Sequence, residues 1–430
     1  MKRGVLVTFI AILIPWILSA QPSTPNEPQS LSVEQAVNFA VEHNKELQVS
    51  QMNIELRNKM VTEAVSQGLP QVTGSLGYST NFGYEASFGE GAIKMKDQAN
   101  VSVSVSQLLF SGEWILGIQT SKIAKQMAAQ QVDITELDIK ETVYNSYYTN
   151  LASERLMEIV KVNLENMNKI QNHTENMYKA GTAEITDVDQ IRITVGQLKN
   201  SLLAMQRTVD VNYNLLRLQL GLQAGTPITL TDPLENFLEE GSFLKLAIQQ
   251  FDVNKNSQYQ LMQTQEELQK KMVGLKKWAY APTISGSYSY QYQLKKGGFM
   301  NIPNSASITM SIPVFSGLQR KAQLDQEKIT LEQTTLNKSL LEDQLNLQEE
   351  QYKFALKNAM EDYQLQKENI LVAKKVLENY QHKYNAGTVS SLDLTQANNN
   401  YLTAENNYTS ACLTLLQAQT QLEKLYNELK

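Results

Sequence analysis

Two hydrophobic periods alternate along this chain. From Leu31-Ser32-Val33-Glu34-Gln35-Ala36 to about Gln67 the apolar positions recur at helical spacing, with Ser32 and Gln35 placed as a capping box. At Gly68-Leu69-Pro70 the period drops to two: Val72, Gly74, Leu76 and Tyr78 alternate with Thr73, Ser75 and Ser79. A polar, Gly-containing loop is expected through about Asp97, followed by the strand Asn100-Val101-Ser102-Val103-Ser104-Val105-Ser106, valines on one face and serines on the other. Helical spacing resumes after Phe110-Ser111-Gly112 and reaches Tyr178-Lys179-Ala180-Gly181-Thr182, and another helix is predicted from Thr186 to Leu220.

The same order then recurs. A helix is predicted over Phe243 to Trp278. A Pro-led strand starts at Ala281-Pro282, and a fourth strand runs from Ala306 to Ile312, ending at Pro313-Val314-Phe315-Ser316-Gly317. A long helix leads to Tyr384-Asn385-Ala386-Gly387-Thr388, and a last one covers Leu392 to Leu425. Pro70 and Pro282, Phe110 and Phe315, and Gly181 and Gly387 pair at offsets of 212, 205 and 206 residues, the mark of one internal duplication.

The long helices carry seams. Leu394, Ala397, Tyr401, Ala404, Tyr408, Ala411 and Leu415 alternate steps of three and four, large side chains with Ala, as knobs-into-holes packing requires. The two Tyr-x-Ala-Gly-Thr stretches therefore read as tips of antiparallel helical hairpins. Gly supplies the left-handed cap that ends the incoming helix, and Thr182 and Thr388 are expected to N-cap the outgoing one. Asp187 and Asp393 follow at matched distance, where the helix dipole favours an acid. In a ring assembly the same acids would form carboxylate rings at a narrow entrance, favouring cations.

Lengths add a geometry. At 1.5 Å per residue the helix ending at Tyr178 is about 100 Å long. Its outgoing partner covers half of that, and the opening helix matches the remainder. Two short helices stacked end to end along each long one make a rod of four columns, with the connector 221–241 near mid-height. The strands lie at the far end from the tips. Four strands cannot close a barrel, and lipid does not tolerate an open edge, so a membrane sheet has to be shared. Twelve strands from three chains leave an aqueous pore, whereas eight fill with side chains. The other reading of the alternation is a β-sandwich cap on a soluble periplasmic coiled-coil adaptor or scaffold.

The fold class expected is mainly α with β, with long antiparallel coiled-coil helices and four strands per chain. Residues 1–20 read as a signal peptide, from Lys2-Arg3, the apolar run Val5 to Leu18 and the small exit Ser19-Ala20. A linker covers 21–30, the first repeat 31–220, the connector 221–241 and the second repeat 242–430, with the β part drawn from 69–110 and 281–315.

Charge and chemistry narrow the function classes. Removal of Lys2 and Arg3 takes the net charge from −6 to −8, an acidic balance that disfavours nucleic acid. No apolar run beyond the signal is long enough for a membrane helix, which leaves a β-barrel open. Cys412 is the only cysteine, so no intrachain disulfide forms, and its place beside the seam residue Ala411 suits a packed small side chain. His43, His173 and His382 are far apart in sequence, and metal sites normally need three or more ligands, so solvated helix histidines are expected, with no metal, no cofactor and no catalytic constellation. Lys94, Lys96, Lys295 and Lys296 fall in the strand-connecting loops and read as solvated.

The Leu31 to Ala36 opening with His43-Asn44-Lys45-Glu46-Leu47, the Leu-Pro and Ala-Pro strand starts, the two Phe-Ser-Gly junctions and the two Tyr-x-Ala-Gly-Thr tips together resemble the TolC-like outer membrane efflux proteins. The resemblance spans essentially the whole mature chain. It implies that these elements close as a helical barrel on a shared twelve-stranded transmembrane β-barrel, in a homotrimer in outer-membrane lipid whose barrel continues into a periplasmic tunnel. It also implies a periplasmic adaptor and an inner-membrane transporter as partners, in an efflux or type I secretion system. By that match Tyr178, Gly181, Thr182 and Asp187, with Tyr384, Gly387, Thr388 and Asp393, belong to the entrance and to adaptor docking. Well-known members carry a basic residue directly after the second Gly-Thr, paired to an acid in the lock. Here that position is Val389.

Overall fold

The computed structural model describes residues 29–88, 91–94, 97–295 and 302–429. The expected signal peptide, nearly all of the linker, Lys96 and Lys296 lie outside the described residues, and of Lys94 and Lys295 only the backbone is described. In chain order the elements are β1 (Gln29–Leu31), α1 (Val33–His43), α2 (Lys45–Ser66), β2 (Gln71–Ser79), β3 (Glu85–Phe88), β4 (Gly91–Lys94), β5 (Gln98–Phe110), α3 (Gly112–Lys179) and α4 (Ile185–Gln219). The second half continues with β6 (Ile228–Leu230), α5 (Glu240–Ile248), α6 (Ser257–Trp278), β7 (Thr283–Lys295), β8 (Asn304–Ser311), α7 (Gln319–Asn385) and α8 (Ser391–Leu425).

Two helices set the length of the molecule, α3 with 68 residues and α7 with 67. Along α3 lie α2 and α4, and along α7 lie α6 and α8, while α3 also packs on α6 and α8 and so joins the halves. The predicted opening helix is in fact two, broken at Asn44. The break has a physical cause. Asn44 Oδ1 accepts from the backbone N–H groups of Glu46 (2.8 Å) and Leu47 (3.3 Å), capping α2, while its Nδ2 donates to the Gln219 carbonyl (2.8 Å) at the end of α4. Asn256 repeats this in the second half. Its Oδ1 caps α6 through Gln258 and Tyr259, and its Nδ2 donates to the Leu425 carbonyl (3.0 Å) at the end of α8. The single helix expected over Phe243 to Trp278 is accordingly α5, a short 3-10 turn and α6.

The mid-height region holds more order than a connector. β1 and β6 pair in parallel, Gln29 to Ile228 through Leu31 to Leu230. Tyr147, fully buried in α3, donates its hydroxyl to the Leu31 carbonyl (2.9 Å), and Asp232 accepts from Val33 N–H (2.7 Å). A hydrophobic core surrounds this point, and a second, smaller one lies at the tips.

At the other end β2, β5, β7 and β8 form one antiparallel sheet in that order. The register sets Val72 beside Val105, Leu76 beside Val101, Val103 beside Tyr290 and Ile284 beside Met310, so apolar side chains share one face. The opposite face is Ser, Thr and Gln, with Ser75 bonded to Ser102 (2.6 Å) and Ser287 to Ser307 (2.8 Å). None of the described residues covers the apolar face: Val72 is 69% exposed, Leu76 74% and Ile308 77%. A soluble sandwich cap would have packed that face inward, so the soluble alternative is not what this sheet builds. The expected polar loop before Asp97 also differs, because β3 and β4 pair in it as a hairpin.

Candidate functional site

The two tips have one backbone. In each, the incoming helix ends in a Schellman turn: Gly181 N–H donates to the Tyr178 carbonyl (2.9 Å) and Thr182 N–H to Met177 (2.9 Å), as Gly387 does to Tyr384 (2.9 Å) and Thr388 to Lys383 (3.0 Å). Both glycines are left-handed, φ +76° and +72°. Thr182 and Thr388 do not cap the outgoing helices, contrary to the sequence expectation. Their hydroxyls donate backwards, to the Met177 and Lys383 carbonyls at 3.0 Å each, sealing the helix that has just ended. The N-cap positions are Glu184, whose backbone carbonyl accepts from Asp187 N–H (3.1 Å), and Ser390, whose hydroxyl accepts from Asp393 N–H (3.2 Å).

Asp187 and Asp393 hold the first turns of α4 and α8. The Asp187 carboxylate accepts from Glu184 N–H (3.2 Å) and Asp393 from Ser390 N–H (3.2 Å). Asp393 also accepts from the Ser390 hydroxyl (2.7 Å), and these bonds hold its carboxyl below the ordinary aspartate value of 3.8. The other oxygen of Asp187 reaches across to the second tip and accepts from the Ser391 hydroxyl (2.6 Å). One chain thus ties its two tips through Asp187 and Ser391. Ser391 had no prominence in the sequence, where only its place in a helix start could be read. Val389, where a basic residue was expected, is partly buried against the tip core.

The tyrosines part company. Tyr384 is 4% exposed and its hydroxyl shares a hydrogen bond with Thr174 (2.8 Å) on α3, while burial pushes its pKa above the ordinary value of 10.0. Tyr178 is 46% exposed. Around Tyr384, Met167 and Ile170 of α3, Ile191 and Val195 of α4, and Leu394 and Ala397 of α8 close the space between the hairpins. The site brings Tyr384, Asp187 and the start of α8 together and leaves Tyr178 at the margin.

His43, His173 and His382 are exposed, and among the described residues no group of three or more His, Cys, Asp or Glu is arranged to hold a metal. Cys412 is fully buried, and burial pushes its thiol up to about 11, so no thiolate forms at neutral pH. No described helix is long and apolar enough to cross a membrane. The site is a pair of hydrogen-bonded turns set on a small apolar core.

Comparison with known proteins agrees with this geometry. The profile of the family described as outer membrane efflux protein matches residues 36–222 and again 254–428, one match per repeat. The toluene efflux pump outer membrane protein TtgC and the antibiotic efflux pump outer membrane protein ArpC, both of Pseudomonas putida, are each 22% identical over 408 residues, covering 91% of this chain and 82% of theirs. Among solved structures, CusC superposes with a TM-score of 0.76 at 14% identity, covering 96% of both chains. VceC of Vibrio cholerae gives 0.72 at 14% identity, covering 92% of this chain and 96% of its own. The open state of the Neisseria gonorrhoeae MtrE outer membrane channel gives 0.74 at 17% identity, with 93% and 89% covered. The chain belongs to the outer membrane efflux protein family, whose members are channels rather than enzymes and work with adaptor proteins and inner-membrane pumps.

Proposed function

We propose that three copies of this chain form one passive duct, a twelve-stranded barrel in the outer membrane continued by a tunnel of helices that narrows at six tips. The observation that carries this is the sheet, with its uncovered apolar face and its two open edges, β2 and β8. Backbone groups at those edges need partners in lipid, and β8 of one protomer beside β2 of the next supplies them. The inward face is then a hydroxyl-lined pore. Residues 1–20 act as the export signal, 31–220 and 242–430 as the two repeats, and 221–241 as the mid-height connector. Names of relatives that refer to toluene and antibiotic efflux support small molecules over polypeptides as cargo.

In this reading Tyr178, Gly181, Thr182, Asp187, Tyr384, Gly387, Thr388 and Asp393 frame the periplasmic entrance and the surface offered to the adaptor. The Asp187 to Ser391 bond takes the place of an acid to base lock, since Val389 has no charge to give. Outer-membrane fractions should contain heat-modifiable oligomers of trimer size, and purified protein should conduct ions across planar bilayers. A monodisperse monomer stable without detergent would overturn the duct. Joint replacement Asp187→Asn and Asp393→Asn should move the reversal potential in a salt gradient towards the unselective value. An unchanged potential would remove the carboxylate rings, leaving Asp393 as a helix cap and Asp187 as a cap that also ties the tips.

A further inference from the structure

The repeats diverge most plainly at one height, where helices pass into strands. The offsets that align Pro70 with Pro282 and Phe110 with Phe315 set Lys276, Lys277, Arg320 and Lys321 against Ala64, Val65, Ile115 and Leu116. Four cations of the second repeat stand where the first has four apolar side chains. They are at one level because α6 and α7 run antiparallel. The Tyr259 hydroxyl donates to Glu342 (3.1 Å) and Gln269 Nε2 to Glu327 (2.7 Å), and two further turns along this register bring Lys276 and Lys277 beside Arg320 and Lys321.

The acid nearest these cations in the packing is Glu113 in the first turn of α3, whose neighbour Gly112 lies against Trp278, and it forms no ion pair with any of the four. Lys270, Lys328 and Lys338 pair with carboxylates, but among the described residues none of these four does. Neither 271–282 nor 312–324 contains an Asp or Glu. Directly on the sheet side lie exposed Trp278 and Tyr280, then Val314 (91% exposed) and Phe315 (85%). From the apolar sheet face through two interfacial aromatics to a row of unpaired cations, the polarity follows a bilayer from acyl chain to phosphate.

We propose that Lys276, Lys277, Arg320 and Lys321 form a basic collar that binds the phosphodiester headgroups of anionic phospholipids in the leaflet facing the periplasm. The inference rests on the outer-membrane placement of the sheet. That placement also selects the source of phosphate, because the collar lies at the helical end of the strands, among the glycerophospholipids of the inner leaflet. The first repeat carries no matching site, so a trimer has three collars, one per protomer.

The test uses the full-length assembled protein in vesicles of phosphatidylcholine with a quarter of phosphatidylglycerol, and compares tryptophan quenching when one or the other lipid is brominated. Trp278 reports from the collar's edge. Wild type should be quenched preferentially by brominated phosphatidylglycerol, an enrichment of about ten-fold at low salt that shrinks as salt rises. The variant K276Q/K277Q/R320Q/K321Q should lose the preference and still insert and conduct. Equal quenching by both lipids in wild type, or a preference insensitive to salt, would overturn the collar without needing the variant to fold. So would reversal of the preference by inorganic phosphate at constant ionic strength, which would mark a free-anion site. Failure to enter vesicles of either composition would instead overturn the membrane placement, and the collar with it.

Discussion

The two tips share a turn, two capping schemes and a spacing, yet one is an anchor and the other a margin. At the second, Tyr384 is sealed between hairpins and bonded to Thr174. At the first, the matching Tyr178 stands 46% exposed, and the acid beside it is engaged by the other tip through Ser391. Duplication copies what is local, the left-handed Gly and the first-turn acid. Burial depends on which neighbour a helix meets. Within one chain the α7 and α8 hairpin lies against α3 and α4 chiefly through α8, and among the described residues no further helix packs on the other side of the α3 and α4 hairpin. In the proposed trimer that side meets the next protomer, and Tyr178 becomes the intermolecular counterpart of Tyr384.

Truncating the tyrosines tests this most severely. Tyr384→Ala removes a side chain from a closed core and should cost about 3 kcal/mol or more in stability. Tyr178→Ala should leave protomer folding within about 0.5 kcal/mol and weaken the trimer instead. Denaturant unfolding of the protomer, set beside the temperature at which the oligomer dissociates on an unheated gel, separates the two effects. Equal losses of protomer stability would erase the distinction between the tips.

The glycines offer a milder test, since each has open space around its missing Cβ and only backbone conformation resists substitution. Gly181→Val and Gly387→Val should each cost about 1–2 kcal/mol from the left-handed φ alone. The functional loss should be greater at Gly387, whose turn positions Tyr384. Asn tolerates that conformation better, so Gly387→Asn should recover most of the channel function lost with Val, read as bilayer conductance. Unchanged conductance in Gly387→Val would remove the turn from the gate.

How far these features could be read beforehand follows from how local their causes are. The Schellman turns, the alternation in β5 and β7 and the lengths of α3 and α7 are written in contiguous residues, and they were legible. The break at Asn44 was not, because His43-Asn44-Lys45 carries no Gly or Pro. Asn44 stops a helix only by capping one neighbour while bonding the end of another 175 residues away. The pairing of β1 with β6 has three residues a side and little pattern to detect. Thr182 and Thr388 misled because Thr serves a helix start or a helix stop equally well, and the direction of its hydroxyl is settled by which carbonyl is free. The eight tip positions were located by repeat and resemblance. Ser391 was missed because its partner is on the other repeat.

Ser391 therefore provides the next sharpening. Ser391→Ala removes the donor to Asp187 and should cost about 1–2 kcal/mol, as expected for a hydrogen bond to a charged acceptor in a half-buried place. Ser390→Ala removes a local cap of similar size. If the bond across the tips holds them together, Ser391→Ala should raise bilayer conductance and Ser390→Ala should not. Matched conductances would show that both serines serve helix starts alone.

The smallest expected effect is in pH. Asp393 is fully exposed, and its carboxyl is held below 3.8 by the Ser390 hydroxyl and N–H. A folded value below the unfolded one, about 3.9, means the cap contributes fully above that pH and is lost as pH falls through the folded value. Acidification from pH 7 to 5 should therefore leave the second tip unaltered, and loosening should begin only below about pH 4. Hydrogen exchange at the Ser390 and Asp393 amides, expressed as protection to remove the intrinsic pH dependence, reads this directly. Wild type should lose protection at those amides below pH 4, whereas Asp393→Asn, which has no proton to take up, should show the same protection throughout. Tyr384 is held by its core and by Thr174, so loss of the Asp393 cap should remain local and leave protection at Tyr384 intact. If protection at Tyr384 fell together with that at Ser390, the second tip would be anchored by its cap and not by its core, and the contrast between the two tips would have to be drawn the other way round.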